Sequence, residues 1–434
     1  MPLEATSLLP VAILPLLRVG SIERATAPYA NSVIFLFLGG FFLAAAMERW
    51  SLHKRLAYAI LSLVGTDKRR VVLAFMVATG FLSMWISNTA AAVMMLPMAM
   101  AVIALAHEAP SVHAGTTPAR DGFGTALALG IAYAASIGGI GTLIGTPPNA
   151  IFAAAARQIY EVEIGFAGWM ATAVPVAVVM LLVGWVLLTR LVYRTSGRIS
   201  ALADRVREER ASLGRLQGPE RFVFWVFMLT ALAWVLREPK TLGSVTIPGL
   251  SSILPGLSDP GIAIIAAVLL FAVPASVREG RFALDWQTAS RVPWGILLLF
   301  GGGLSLAEAF QSSNLSQWVG ELLSGLAGQP RLVVVLAVAT TFVWMSELTS
   351  NTAVAAMAMP LLAGLAEGLG EPPLLLMRVA ILANSLAFCL PVGTPPNAVV
   401  FASGAVTMPQ MMRAGVWMNG ATIVVITVLG TWFL

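Results

Sequence analysis

Apolar residues run along this 434-residue chain in long blocks, each broken or bounded by a few polar positions. The blocks fall at 6–18, 31–47, 71–106, 123–156, 168–193, 222–236, 260–276, 293–310, 332–366, 374–404 and 411–434. Many approach or exceed the ~20 residues that a helix needs to cross the hydrocarbon. None shows the ~10-residue alternation of a barrel strand. The pattern predicts an all-α polytopic membrane protein with about nine transmembrane helices.

Four blocks carry a polar interruption, and the interruptions come in two kinds. Ser87-Asn88-Thr89 divides 71–106, and Ser350-Asn351-Thr352 divides 332–366. Gly145-Thr146-Pro147-Pro148-Asn149 divides 123–156, and Gly393-Thr394-Pro395-Pro396-Asn397 divides 374–404. Ahead of them, Phe37-Leu38-Gly39-Gly40 leads to Glu48, and Leu299-Phe300-Gly301-Gly302 leads to Glu308. Gly39 to Ser87 spans 48 residues and Gly301 to Ser350 spans 49. Ser87 to Gly145 spans 58 and Ser350 to Gly393 spans 43; the excess matches a polar loop around His107 to Asp121. The same parts in the same order predict an inverted repeat: an N-terminal half at 1–193, a connector at 194–221 and a C-terminal half at 222–434.

Prolines lack the N–H that a helix ladder needs and bias the preceding residue away from helix. The blocks at 123–156 and 374–404 are therefore expected as discontinuous helices. The apolar arms around each Ser-Asn-Thr are short for two crossings, so 71–106 and 332–366 are expected as re-entrant helical hairpins with polar tips. Irregular backbone at membrane depth is tolerated only where it is buried in protein or lines a cavity. The two tips and the two breaks are thus the candidate site.

Composition narrows the class. Charged residues make up 11% of the chain and hydrophobic ones 58%, against roughly a quarter charged in a soluble domain. The net charge of +5 sits largely in short loops, where it orients the protein in the bilayer and is no nucleic-acid signal. Lys68, Arg69, Arg70 and the arginine-rich connector are expected in the cytoplasm, the connector holding a short helix. The single cysteine, Cys389, excludes an internal disulfide. His53, His107 and His113 are read as lying in polar connections, with no partners at metal-ligand spacing. An intramembrane serine hydrolase lacks its base for that reason. Two closed tips suit alternating access better than the continuous pore of a channel. The chain is not read as an enzyme.

Ser83 precedes Ser87 by one helical turn and Ser346 precedes Ser350 by the same interval, so each hydroxyl faces the side of its tip. Ser83, Ser87, Asn88 and the Gly145 carbonyl suit one oxygen cage for a hard cation. Ser346, Asn351 and the carbonyls near Thr349 and Gly393 suit a second. No Arg or Lys lies within the four motifs, so a bound anion needs co-bound cations, which points to sodium-coupled symport. Glu347 is read either as a proton site or, preferably, as a structural acceptor for helix-end N–H groups in the hairpin. Glu48 and Glu308 are read as end-of-helix groups near the interface.

The doubled Ser-Asn-Thr, the doubled Gly-Thr-Pro-Pro-Asn, and Phe-Leu-Gly-Gly leading to Leu52-His53-Lys54-Arg55 resemble the divalent anion:sodium symporter family. The resemblance implies a carrier of dicarboxylates, citrate or sulfate, working as a homodimer whose transport domain moves like an elevator against a scaffold. It implies that Ser83, Ser87, Asn88 and Gly145 form one sodium site and Ser346, Thr349, Asn351 and Gly393 the other. Asn88, Thr89, Thr146, Ser350, Asn351, Thr352, Thr394 and Pro395 are expected to face the substrate carboxylates. The expected activity is sodium-driven uptake of a C4-dicarboxylate such as succinate, malate or fumarate across the inner (plasma) membrane. Sodium-independent exchange, or sulfate or citrate as cargo, are the alternatives. The stretch from Glu4 to Pro10 resembles one that members reach after two earlier helices, so either a displaced start or a scaffold two helices short is expected.

Overall fold

The computed structural model describes residues 2–62, 65–108, 122–199, 202–216, 218–242, 245–276, 281–315, 317–318, 321 and 328–432. Most of the polar loop up to Asp121, including His113, lies outside them, as do residues 200, 201 and 217 of the connector.

The principal helices of the first half are α1 (Leu9–Leu16), α2 (Ser32–Arg49), α3 (Leu52–Leu61), α4 (Lys68–Ser83), α5 (Asn88–Glu108), α6 (Phe123–Gly139), α7 (Pro147–Tyr160) and α8 (Phe166–Val186). After α9 (Leu202–Ser212) in the connector come α10 (Gly218–Leu236), α11 (Asp259–Ala272) and α12 (Trp294–Ser312). The second half closes with α13 (Arg331–Leu348), α14 (Asn351–Leu369), α15 (Pro373–Asn384), α16 (Pro395–Ala402) and α17 (Met408–Trp432). Among the described residues, eight helices are long and apolar enough to cross a membrane. The protein is an all-α polytopic membrane protein. Two small antiparallel ribbons, β1 (Lys240–Leu242) with β2 (Val245–Ile247) and β3 (Pro274–Ser276) with β4 (Arg281–Phe282), occupy the links around α11.

Local chemistry sets the helix ends. Asp67 caps α4, its Oδ1 accepting from the N–H groups of Arg69 and Arg70 at 3.1 Å, which satisfies two otherwise orphaned donors. Thr146 and Thr394 hold nearly the same extended conformation, φ −142°, ψ 142° and φ −143°, ψ 148°. Each precedes a Pro-Pro pair, which forbids helix at the threonine and opens a new helix after it. The prolines therefore start α7 and α16. The backbone that leaves helical geometry lies upstream, at 140–146 and 385–394.

Small residues bring α4 and α6 into close contact. A methyl on Gly138 would lie 2.1 Å from the Gly80 carbonyl oxygen, so the two backbones touch, as membrane helices without a hydrophobic driving force require. In the second half α13 packs on α15 and α17. The halves also interlock: α5 packs on α16, and α14 packs on α7. A charged cluster ties α8 to α10 and α11. Arg237 Nε lies 2.6 Å from Asp259 Oδ1, its Nη2 donates to Glu238 at 2.7 Å and reaches Glu163 at 3.4 Å. Asp259 Oδ2 accepts the first N–H of α8, from Phe166, at 2.8 Å.

Three expectations change. His53 lies within α3 and is buried, because the helix that comes after Arg49 turns that side chain inward. Of the other two histidines, His107 is in the last turn of α5. The arms of the expected hairpins are also longer than the apolar blocks implied: α5, α13 and α14 each meet the length and composition of a span.

Candidate functional site

Between α4 and α5 the chain leaves helix for four residues, Met84, Trp85, Ile86 and Ser87. This tip is pinned to the unwound segment after α6. The Thr142 hydroxyl donates to the Met84 carbonyl. Ser83 is fully buried and gives its proton to the Ala135 carbonyl at 2.7 Å. The Asn88 amide satisfies its surroundings with its nitrogen 2.7 Å from Ser83 Oγ, 3.3 Å from the Ala135 carbonyl and 3.2 Å from the Gly145 carbonyl. Three oxygens thus converge on one atom of Asn88. The approach depends on Gly139, where a methyl would lie 2.3 Å from the Asn88 side-chain amide.

The unwound segment is held from the other side by Asn149. Its buried side chain reaches back from α7 and donates toward the carbonyls of Gly139, Ile140 and Thr142 at 3.0, 3.3 and 2.7 Å. Trp169 Nε1 donates to Ile140 O at 2.9 Å. Free carbonyls that water would otherwise solvate are satisfied this way.

The second tip is a shorter break, at Thr349 and Ser350 between α13 and α14. Asn397 repeats the part of Asn149, donating to Ala387 O and Leu390 O at 3.2 and 3.0 Å. Asn384 Nδ2 donates to the Asn351 carbonyl at 2.7 Å and ties α15 to the tip. Glu347 has no counterpart in the first half. It is 2% exposed, and its carboxylate accepts from Phe388, Cys389 and Leu390 N–H at 2.7, 2.8 and 3.0 Å. Asn419 Nδ2 adds a fourth donor at 2.7 Å. Four donors around one carboxylate occupy its acceptor sites, which is what a buried acid needs to be tolerated away from water. Glu347 is therefore a structural acceptor, but for N–H groups of the unwound segment after α15 and not of the turn between α13 and α14.

The sequence-derived set divides accordingly. Ser83, Asn88 and Gly145 come together. Ser87 stands apart: it is exposed, and its Oγ accepts from Ala90 N–H at 3.2 Å, capping α5. Gly393 lies against Glu347, close enough that a methyl there would be 2.8 Å from Oε2. The hydroxyls of Ser346 and Thr349 turn onto their own helix, donating to Val343 O at 2.8 Å and Met345 O at 2.7 Å. Ser350 is exposed while Asn351 and Thr352 are half-buried, as Ser87, Asn88 and Thr89 are. Thr146 and Thr394 are buried and Pro395 is exposed. Across the halves, Ser136 Oγ lies 3.5 Å from Thr394 Oγ1, and Tyr133 OH donates to Phe388 O at 3.0 Å.

Sequence reasoning assigned no part to Asn149, Asn397, Asn384 or Asn419. Asn149 and Asn397 close the two repeated proline motifs, and the signal was there: a carboxamide directly after a proline pair, twice, in apolar surroundings. The side-chain oxygens of Asn149, Asn351, Asn384 and Asn397 are buried without a donor. A cavity of about 650 Å³ opens beside the first tip, lined by Ser87 and Thr89 and by Glu48, Arg49 and Arg291 across from them.

Residues 1–434 match the sodium:sulfate symporter transmembrane region. The sodium-dependent dicarboxylate transporter SdcS of Staphylococcus saprophyticus is 42% identical over 436 residues, covering 100% of this chain and 82% of that protein. SdcS of Staphylococcus aureus strain USA300 is 40% identical over 427 residues, covering 98% and 81%. Two solved structures share the fold at 16% identity: the YdaH transporter of Alcanivorax borkumensis, with a TM-score of 0.61 over 94% of this chain and 85% of its own, and MtrF of Neisseria gonorrhoeae, with 0.60 over 96% and 84%. With the whole chain matched, it belongs to the sodium:sulfate symporter family, whose members are sodium-coupled carriers of dicarboxylates, sulfate or citrate and not enzymes.

Proposed function

We propose that this protein is a sodium-coupled symporter of C4-dicarboxylates, such as succinate, malate and fumarate, in the plasma membrane. The observation that carries the reading is the convergence of Ser83 Oγ, Ala135 O and Gly145 O on Asn88. An oxygen-only set is what a hard cation takes. A rotation of the Asn88 amide brings its own oxygen into that set when sodium arrives. The buried, donor-free oxygens of Asn351 and Asn384 beside the second tip support a second sodium site there, with backbone carbonyls near Thr349 and Gly393. The Glu347 carboxylate next to Gly393 favours a cation in that half and disfavours an unaccompanied anion.

Sodium bound at both tips fixes Asn88-Thr89 and Ser350-Asn351-Thr352 and neutralises the site. The dianion then binds between them, its carboxylates met by those side chains and by Thr146, Thr394 and Pro395 at the starts of α7 and α16. Helix N-termini favour negative charge. Coupling arises because sodium-free tips bind the dianion poorly. The hydrogen bonds from tip to break, in the middle of the α6–α7 path, favour re-entrant hairpins over crossing pairs. The reciprocal packing of α5 on α16 and α14 on α7 supports an inverted repeat that moves as one transport body. It would move elevator-fashion against a scaffold of α2, α10, α11 and α12 in a homodimer. The dicarboxylate assignment also rests on the similarity to SdcS.

Uptake of labelled succinate into proteoliposomes tests the reading. Uptake should rise at least tenfold with an inward sodium gradient over an equal potassium gradient. Equal uptake in both, given internal succinate, identifies a sodium-independent exchanger instead. Uptake of sulfate or citrate in preference to succinate overturns the cargo.

A further inference from the structure

The candidate site holds no fixed positive charge, yet the cavity beside it does. Two arginines line this space with Ser87 and Thr89, and they differ in state. Arg49, at the end of α2, is held by Asp285 at 2.7 Å. Its neighbour Trp50 is anchored as well, donating Nε1 to Ala283 O at 2.7 Å. Glu48 lines the same space, half-buried and without an ion-pair partner among the described residues, while the guanidinium of Arg291 is the more exposed charge. Arg291, just before α12, is exposed, and among the described residues its guanidinium has no ion-pair partner. Its backbone is fixed, the Arg291 N–H donating to Thr288 O at 3.2 Å. The unpaired guanidinium therefore stands on the wall of the cavity and faces the same space as the tip.

We propose that Arg291 is an anion-capture residue: it draws the dianion into this chamber and holds it transiently before, or after, it occupies the tips. The inference rests on the reading of the protein as a dianion carrier. The volume of about 650 Å³ exceeds what a four-carbon dianion fills, since pockets of roughly 300–1,000 Å³ hold drug-sized ligands. The chamber therefore serves as an antechamber in which a hydrated anion moves. An exposed guanidinium on the wall of a cleft raises the local concentration of anions beside it, and that gain is lost as salt screens the charge. An arginine suits the task because its planar fork takes a carboxylate bidentately while remaining charged at every working pH. Arg291 stands in the loop before α12, outside both tips, so it acts on anion capture and leaves the sodium sites untouched.

The chamber lies on the side of α3 and the basic connector. Arg55 on α3 binds Glu220 at 2.7 Å and the carbonyls of Leu213 and Gly214 at 2.9 Å, and α3 comes directly after Arg49. That is the face the positive-inside rule assigns to the cytoplasm. Arg291 thus serves the inner opening.

The test uses full-length carrier in proteoliposomes, with variants Arg291→Lys, Arg291→Gln and Arg291→Glu. Initial rates are read for labelled succinate and labelled sulfate from the chamber side, at saturating sodium and with choline chloride added in steps. For whichever dianion the wild type carries, KM should rise about threefold in Arg291→Gln and five- to tenfold in Arg291→Glu. Arg291→Lys should stay within twofold. The maximal rate and the sodium half-saturation should stay within twofold throughout, and the rise of KM with salt should flatten in Arg291→Gln. An unchanged KM and salt dependence in Arg291→Glu overturns the inference, as does a fall in maximal rate at constant KM. A wild type that carries dianions without sodium dependence overturns the symport reading and leaves this comparison intact; one that carries no dianion overturns both.

Discussion

Asn419, on the last helix, donates its side-chain amide to the Glu347 carboxylate at 2.7 Å. That bond joins α17 to α13, on which it also packs, and through the same carboxylate both are joined to the unwound segment after α15. Hydrogen bonds to charged groups contribute about 1.5–3 kcal/mol each. Asn419→Ala should cost about that much in thermal unfolding of the detergent-solubilised protein. Glu347→Gln should cost more, about 3–5 kcal/mol, because it removes a buried charge from donors left behind and sets an NH₂ group against them. A Glu347→Gln variant that melts with the wild type would dismiss the structural role.

Asn88→Ala removes the amide on which Ser83, Ala135 and Gly145 converge, and Asn351→Ala removes the carboxamide at the second tip. Both side chains are half-buried, so both variants should insert and elute as the wild type does. Succinate uptake should fall at least a hundredfold in each. Ser83→Ala, which leaves the amide in place, should instead raise the sodium half-saturation about tenfold with a smaller loss of maximal rate. Near-normal sodium-dependent uptake by Asn88→Ala would remove the site assignment.

The Arg237 and Asp259 side chains are only 10% and 5% exposed. Breaking a buried pair from one side leaves an uncompensated charge and costs about 3–5 kcal/mol. Arg237→Met should therefore lower the unfolding temperature markedly. Asp259→Asn should do less damage, since an amide oxygen still accepts the Phe166 N–H. The double change Arg237→Met with Asp259→Asn should recover part of the loss of Arg237→Met alone. Additive losses in this cycle would mean that the two side chains do not act as a pair.

His53 links acidity to stability. Burial within α3 holds its imidazole below the ordinary value of 6.5, and the neighbouring Lys54 acts in the same direction. Above that value the side chain is neutral in the folded and unfolded chain alike. As pH falls through it, the unfolded chain takes up a proton that the folded form resists, so stability drops toward acid. The unfolding temperature should fall between pH 7.5 and pH 5.5, and His53→Gln should show a smaller fall. Identical pH profiles would exclude His53 as a contributor.

The features legible in the sequence are those that depend on neighbours along the chain. The apolar blocks became helices, the Ser-Asn-Thr tripeptides fell at the starts of α5 and α14, and the connector formed a helix. The proline pairs were read as the break itself, whereas they begin α7 and α16. A proline lacks only a donor that the first turn leaves orphaned, so it disrupts the backbone before it and starts the helix after it. The partners of Glu347 lie 41 to 72 residues downstream, and no local pattern carries that distance. The ribbon at β1 and β2 spans three residues a strand, too few to set up an alternation. Ser346 shares its spacing with Ser83, yet its hydroxyl turns onto its own helix, because equal spacing sets a face and leaves the rotamer to the surroundings.

The exchange of arms between the halves bears on how the chain is made. Synthesis delivers α5 and its tip some three hundred residues before α16, on which α5 packs. α7 likewise emerges long before α14. The first half must then wait in the bilayer with its polar turn uncovered, held by contacts within α4 to α7. Asn149 and the Thr142–Met84 bond are the local ties available to it in that interval. They hold the turn until its covering helix arrives, and a chain cut short of residue 395 would strand the first half without that helix.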